Sequence, residues 1–76
     1  MKYTSEQIDE INALLLFDLK NPLDGIKAHS NAAPEMIAAL QRLHDKGLVT
    51  QTDGGYLTDT GTKAAEHCHA LLAMLK

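Results

Sequence analysis

The first twenty residues carry large apolar side chains at helical spacing. Intervals of three and four residues separate Ile8, Ile11, Leu15 and Leu19. This spacing lines one face of an α-helix, so we expect these side chains to face the core, in a stripe widened by Leu14, Leu16 and Phe17. Thr4 and Gln7 match the capping box that opens a helix. Because the residue before a proline is disfavoured in helical backbone, we predict that the helix ends near Lys20, ahead of Asn21-Pro22.

A short second helix is predicted over residues 22–28. Pro22 suits the first turn of a helix, since its fixed φ is already helical and its missing N–H is not needed there. Leu23 and Ile26 would then point towards the core. Gly25 weakens such a helix by about 1 kcal/mol relative to alanine.

A third helix is predicted over residues 32–46. A turn precedes it, in which Ser30 or Asn31 is the expected cap. Gly47 is the residue that ends it, because glycine readily takes the left-handed conformation found after helices. The side chains expected to face the core are Met36, Ile37, Leu40 and Leu43.

Residues 48–58 change in character from helix to hairpin. Residues 48–52 have the composition of a strand, and Asp53-Gly54 is a strong signal for a two-residue hairpin turn. Residues 55–58 return as a second strand. We therefore predict one domain over residues 1–76 that is mainly α with a small β-hairpin, in the order α-α-α-β-β-α.

Thr58 is the predicted cap of a last helix with a broad apolar face. A helix needs only one narrow apolar stripe to cover its own core, so the extra width predicts a symmetric dimer through the terminal helices. The alternative is that a thin core uses the whole stripe. The candidate dimer residues are Ala65, Cys68, Leu71, Leu72 and Leu75.

The third helix ends as Leu40-x-x-Leu43-x-x-x-Gly47-Leu48-Val49, and the hairpin closes as Tyr56-Leu57-Thr58-Asp59-Thr60-Gly61. These two segments resemble those of winged helix-turn-helix regulators of the multidrug-resistance-repressor and PadR-like kinds. The whole chain also resembles short uncharacterised bacterial proteins, some of them labelled as DNA-binding or regulatory proteins. The resemblance implies a winged helix-turn-helix fold and a transcriptional regulator.

The resemblance also implies that the third helix is a recognition helix, that residues 50–56 are a wing, and that the ligand is double-stranded DNA. Arginine, lysine, asparagine and glutamine are the side chains that best reach base edges and phosphates. The N-terminal end of a recognition helix usually enters the major groove. The candidate DNA contacts are Lys27, Ser30, Asn31, Gln41, Arg42 and Lys46.

Charge supports an alternative function. Seven basic and ten acidic residues give a net charge of −3. This charge argues against DNA binding, because affinity for DNA comes from basic residues that neutralise phosphates. The wing tip, residues 51–55, has no basic residue, and Glu35 and Asp45 lie on the proposed reading face. The alternative is a non-catalytic protein–protein interaction module on a winged-helix fold without autonomous DNA binding.

Other classes of function have little support in the sequence. No nucleophile triad, glycine-rich phosphate loop or paired catalytic carboxylates are recognisable, so we expect no enzyme and no cofactor. His67 and His69 point about 200° apart on a helix, so with Cys68 they do not form a chelating set, and we expect no metal. The single cysteine excludes an internal disulfide and fits the cytoplasm. No apolar run is long enough to span a membrane.

Overall fold

The computed structural model describes residues 1–76 as an α+β fold with three helices and a three-stranded antiparallel sheet. The elements are α1 (Ser5–Leu14), β1 (Ile26–Lys27), α2 (Pro34–Asp45), β2 (Val49–Gln51), β3 (Gly54–Leu57) and α3 (Asp59–Leu75). The strand order is β1-β3-β2, so the last strand of the hairpin lies in the centre of the sheet. None of the helices has the length and hydropathy needed to cross a membrane.

Helix α1 begins as predicted and ends earlier than predicted. The capping box is confirmed: the Gln7 N–H donates to Thr4 Oγ1 at 3.1 Å, and the Thr4 N–H donates to Gln7 Oε1 at 2.9 Å. The helix ends at Leu14 and not near Lys20. The carboxylate of Asp18 accepts hydrogen bonds from the Lys20 N–H at 2.9 Å and from the Asn21 side chain at 2.7 Å. These bonds hold residues 18–21 in a turn, because a short acceptor side chain competes with the helical backbone.

The side chains that α1 and the turn after it bury match the predicted stripe in part. Ile8 and Leu16 are exposed, whereas Glu10, Ala13, Leu14 and Phe17 are buried. Leu14 and Phe17, predicted only to widen the stripe, are therefore part of its buried centre, next to a glutamate that hides the apolar character of this face. The core that α1 joins consists of Ala13, Leu14, Phe17, Ala39, Leu40, Leu43, Val49 and Ala65.

The predicted second helix is wrong. The Asp24 N–H donates to the Asn21 carbonyl at 2.9 Å, which closes a turn with proline at its second position. β1 follows and pairs with β3, so the chain has three strands and not two. A side chain at Gly25 would come within 2.8 Å of the Gly55 carbonyl oxygen, so glycine is required for this close approach. Leu23, predicted to face the core, is 87% exposed.

Helix α2 confirms the predicted third helix with a later start. It begins at Pro34, and Ala33 is its N-cap without any side-chain hydrogen bond, so the expectation of a Ser30 or Asn31 cap is wrong. Gly47 ends the helix with φ +77°, as predicted. The Leu48 N–H then donates to the Leu43 carbonyl at 2.9 Å and directs the chain into β2.

The predicted hairpin is confirmed, but its two-residue turn is Thr52-Asp53 and not Asp53-Gly54, because Gly54 already belongs to β3. Thr58 joins the hairpin to α3. β2 and β3 pair with Val49 opposite Leu57 and an irregularity before the turn. The Thr58 hydroxyl donates to the Gly47 carbonyl at 2.6 Å and accepts from the Gly61 N–H at 3.0 Å. This one hydroxyl therefore joins the end of α2 to the start of α3.

Replacing Gly61 with alanine should destabilise the fold strongly. A Cβ at Gly61 would overlap the backbone carbonyl of Leu48, which cannot move without disturbing the start of β2. We expect Gly61→Ala to lower the free energy of unfolding by about 3 kcal/mol or more, although alanine is the better helix former. Urea denaturation measures this. In the control Gly47→Ala, the site is open and only the positive φ is strained, so the cost should be about 1–2 kcal/mol. A Gly61→Ala protein as stable as the original would contradict the packing described here.

The turn after α1 gives a prediction about pH. The Asn21 side chain, and then the Lys20 N–H, donate to Asp18 and lower the pKa of its carboxyl. Stabilisation from these bonds is complete above the pKa of the unfolded chain and is lost as pH falls through the lowered pKa. We expect Asn21→Ala to raise the pKa of Asp18, as followed by carboxyl carbon shifts in an NMR titration. Replacing the exposed Asn12 with alanine is the control and should leave the Asp18 titration unchanged.

Candidate functional site

A cluster of four charged side chains joins α1 to α2. Arg42 Nε donates to Glu10 Oε2 at 3.2 Å, and Lys46 Nζ bonds to Glu10 Oε1. Arg42 also lies 3.6 Å from a carboxylate oxygen of Glu6 and donates to the Glu6 backbone carbonyl at 3.3 Å. We call Glu6, Glu10, Arg42 and Lys46 the ion cluster.

Glu10 is the centre of the ion cluster. It is 7% exposed, so its charge has little contact with water. Each of its carboxylate oxygens bonds to a different cation, and this pairing offsets the cost of removing the charge from solvent. Arg42 is half-buried, whereas Lys46 and Glu6 are exposed at the margin. The cluster is therefore a partly buried connection between two helices.

The ion cluster changes the role of two candidate DNA contacts. Arg42 was expected to contact DNA, but it lies against α1. Lys46 bonds to the same glutamate. Their charges are neutralised within the protein, which leaves less positive potential for a phosphate backbone.

The remaining candidate DNA contacts are exposed and lie in separate elements. Lys27 is in the edge strand β1, Ser30 and Asn31 are in the turn before α2, and Gln41 is on the outer face of α2. None of these four makes a side-chain hydrogen bond or salt bridge within the chain.

The outer face of α2 and the hairpin carry no free positive charge. Glu35 and Asp45 are exposed at the two ends of α2, with Gln41 between them. No lysine or arginine occurs between Gly47 and Thr62, a range that contains the whole hairpin. The surface that a winged helix would present to DNA is therefore neutral to acidic.

The candidate dimer residues of α3 divide into two groups. Ala65 is fully buried in the core, so it is not available for a dimer, and Cys68 is half-buried. Burial also raises the pKa of the Cys68 thiol. Leu71, Leu72 and Leu75 are exposed, and so is Met74, which was not among the candidates.

A small cavity and a histidine lie beside Phe17, after the end of α1. A cavity of about 50 Å³, with Phe17 and Leu57 in its lining, is large enough for only a few waters. No three metal-ligating side chains lie together. His69 Nε2 lies 3.1 Å from the Phe17 carbonyl oxygen and holds α3 against the end of α1.

Sequence reasoning missed Glu10, the centre of the site. Its position in the first turns of a helix suggested only a favourable interaction with the helix dipole. Its partners Arg42 and Lys46 lie 32 and 36 residues away. The available signal was that residues 10, 13, 14 and 17 share one helical face, with a single charged residue among apolar ones.

Removing Glu10 or Arg42 should show that the two act as a pair. We expect Glu10→Ala and Arg42→Ala each to cost about 2 kcal/mol of unfolding free energy, because each removes a bond that offsets the desolvation of a partly buried charge. The double variant should cost less than the two together by about 1 kcal/mol. Denaturant unfolding of all four proteins gives this coupling energy. Glu6→Ala, at the exposed margin, is the control and should change stability by no more than about 0.5 kcal/mol. Strict additivity of the two variants would show that the pair is not coupled.

Comparison with known proteins assigns the chain to a family without assigning an activity. No curated protein matches it, and no solved structure matches it. The model of one protein family matches residues 1–76. Because this match covers every residue, the chain belongs to the Family of unknown function (DUF5669).

Proposed function

We propose that this protein is a non-catalytic protein–protein interaction module on a winged-helix-like scaffold, and that it does not bind DNA by itself. The observation that carries the proposal is the bonding of Arg42 and Lys46 to the buried carboxylate of Glu10. These are the only two basic residues, other than histidine, in and directly after the candidate recognition helix.

The topology supports a winged-helix-like scaffold. α2 leads through Gly47 directly into the β2–β3 hairpin, and α3 packs behind it. A helix-turn-helix reader, however, uses two helices joined by a short turn, the first of which crosses the DNA backbone. Here residues 28–33 form a turn between β1 and α2, and no helix lies between them. The element that would support a recognition helix on DNA is missing.

Electrostatics point in the same direction. Binding to DNA depends on cations that replace the counterions around phosphates. Glu35 and Asp45 on α2 would repel phosphates, and the hairpin offers no cation in compensation. A protein partner needs no such cations, and a neutral, partly apolar surface suits it better.

DNA-binding regulation is the second candidate function. The exposure of Lys27, Ser30 and Asn31 near the N-terminal end of α2 favours it, since this end of a recognition helix reaches base edges. In that case Gln41 and Lys27 would supply the contacts and Arg42 would remain in the ion cluster.

A duplex-binding experiment separates the two candidates. Fluorescence anisotropy with mixed-sequence DNA duplexes, at a low salt concentration of about 50 mM, should show no saturable binding by the wild-type protein. The double variant Glu6→Gln and Glu10→Gln frees Arg42 and Lys46, so we expect it to show saturable binding with a steep salt dependence. The matched control, Asp24→Asn with Glu66→Gln, neutralises two exposed acids elsewhere and should gain much less.

Tight, salt-dependent binding by the wild-type protein would overturn the proposal. Loss of that binding in Lys27→Ala or Gln41→Ala would assign the contacts to the second candidate function. A gain in the control equal to that of the double variant would show that net charge, and not the ion cluster, governs DNA affinity.

A further inference from the structure

Residues 22–31 cross one edge of the sheet and add nothing to the buried core. None of the ten is buried, and none belongs to the core cluster. Ile26 and Ala28 are half-buried and pack against that cluster, whereas the other eight are exposed. No side chain in this range makes a hydrogen bond or a salt bridge. We call residues 22–31 the strap.

Backbone hydrogen bonds hold the strap to the hairpin. β1 has only two residues, which pair with Gly54 and Gly55 of β3. The Ala28 N–H donates one further bond to the Asp53 carbonyl at 2.9 Å. Because glycine has no side chain, the two strands lack the cross-strand side-chain contacts that stabilise a sheet. The pairing therefore depends on a few backbone bonds.

The packing under the start of the strap is incomplete. A cavity of about 50 Å³ is lined by Pro22 and Asp24 of the strap and by Phe17 and Leu57 of the body of the protein. Atoms that border a void lose the contacts that a filled space would give them. Ile26 is therefore the one large side chain that holds the strap against the core.

The two ends of the strap are fixed by contacts that do not involve it. Before it, the Asp18 carboxylate accepts bonds from the Lys20 N–H and the Asn21 side chain, and after it, α2 begins at Pro34. The strap can therefore leave the sheet while both attachment points stay in place. Release restores conformational freedom to ten residues at the cost of few contacts, which is typical of a segment that opens by itself.

We infer that the strap closes the edge of β3 and opens as one unit while the helices and the β2–β3 hairpin stay folded. In the closed form, β3 is paired on both sides. In the open form, the backbone groups of Gly54 and Gly55 that face β1 become unpaired. Exposed strand edges pair readily with other extended chains, so the strap protects this edge. The inference goes beyond the proposed function and does not depend on it.

Amide hydrogen exchange followed by NMR tests the opening. The Ala28 N–H is bonded only while the strap is closed, whereas the amides of Leu40 and Leu43 lie in the buried part of α2. In the wild-type protein, we expect Ala28 to exchange at least about a hundredfold faster than these core amides. Its rate should stay flat at low urea concentrations, because local opening exposes little surface, while the core rates should rise.

A pair of variants tests whether the strap moves as a unit. Opening removes Ile26 from the core, so Ile26→Ala weakens the closed form and should speed the exchange of Ala28, two residues away, by about tenfold. Leu23→Ala is the matched control in the same segment. Leu23 is 87% exposed and loses no contact on opening, so the exchange of Ala28 should not change.

A third variant separates opening of the strap from unfolding of the whole chain. Glu66 is exposed in the middle of α3, and Glu66→Gly should speed the exchange of the core amides by about threefold to fivefold. The exchange of Ala28 should stay the same, because the open and closed forms both keep α3 folded.

Three results would overturn the inference. The first is an Ala28 exchange rate that rises with urea as steeply as the core rates. The second is an equal acceleration of Ala28 and the core amides in Glu66→Gly, since both would then exchange only through global unfolding. The third is an unchanged Ala28 rate in Ile26→Ala, which would show that the Ala28 bond breaks singly while Ile26 stays in place.

Discussion

The position of α2 against α1 depends on one buried carboxylate. Glu10 bonds to Arg42 and Lys46, which lie one helical turn apart on α2, so a rotation of either helix would break at least one bond. A buried ion pair often adds little net stability, because desolvation costs nearly as much as the attraction returns. Its stronger effect is on specificity: apolar contacts between two helices tolerate sliding, whereas a buried charge must keep its partners. The same bonds pair the positive charges of Arg42 and Lys46 with a carboxylate of the protein itself.

The sheet depends on a different constraint, which is close approach of the backbone at glycine. Gly25 lies against the Gly55 carbonyl and the Tyr56 ring, and a Cβ at Gly54 would come within 2.6 Å of the Ile26 carbonyl oxygen. With only eight buried apolar residues in the core, the chain gains much of its compactness by bringing strands and turns together where side chains are absent. Substitutions at these glycines would displace β1. This strand was not predicted, because residues 22–28 were interpreted as a helix.

Four local signals in the sequence were reliable, whereas the helix start at Pro22, the Ser30 or Asn31 cap and the signals that depend on distant partners were not. The capping box of α1, the glycine after α2, the hairpin and the Thr58 cap each involve residues within a few positions of one another, and all four are confirmed. β1 forms by pairing with β3, which lies far from it in the sequence. The buried face of α1 was assigned only in part, because the apolar residues cover a wide face of the helix and tertiary packing decides which of them are buried. The candidate site failed to be recognised for the same reason: Arg42 and Lys46 resemble ordinary surface cations until Glu10 is placed beside them.

The paired cations of α2 and the exposed apolar end of α3 favour the same kind of contact. Glu10 pairs with Arg42 and Lys46, the cations that a nucleic-acid reader would need on α2. The end of α3 exposes uncharged apolar side chains, which are Leu71, Leu72, Met74 and Leu75. A surface with few free charges has little long-range attraction for a polyanion, and its binding energy must come from short-range apolar contact. Such contact is strongest with a surface of matching shape and equally low charge. A phosphate backbone has neither property.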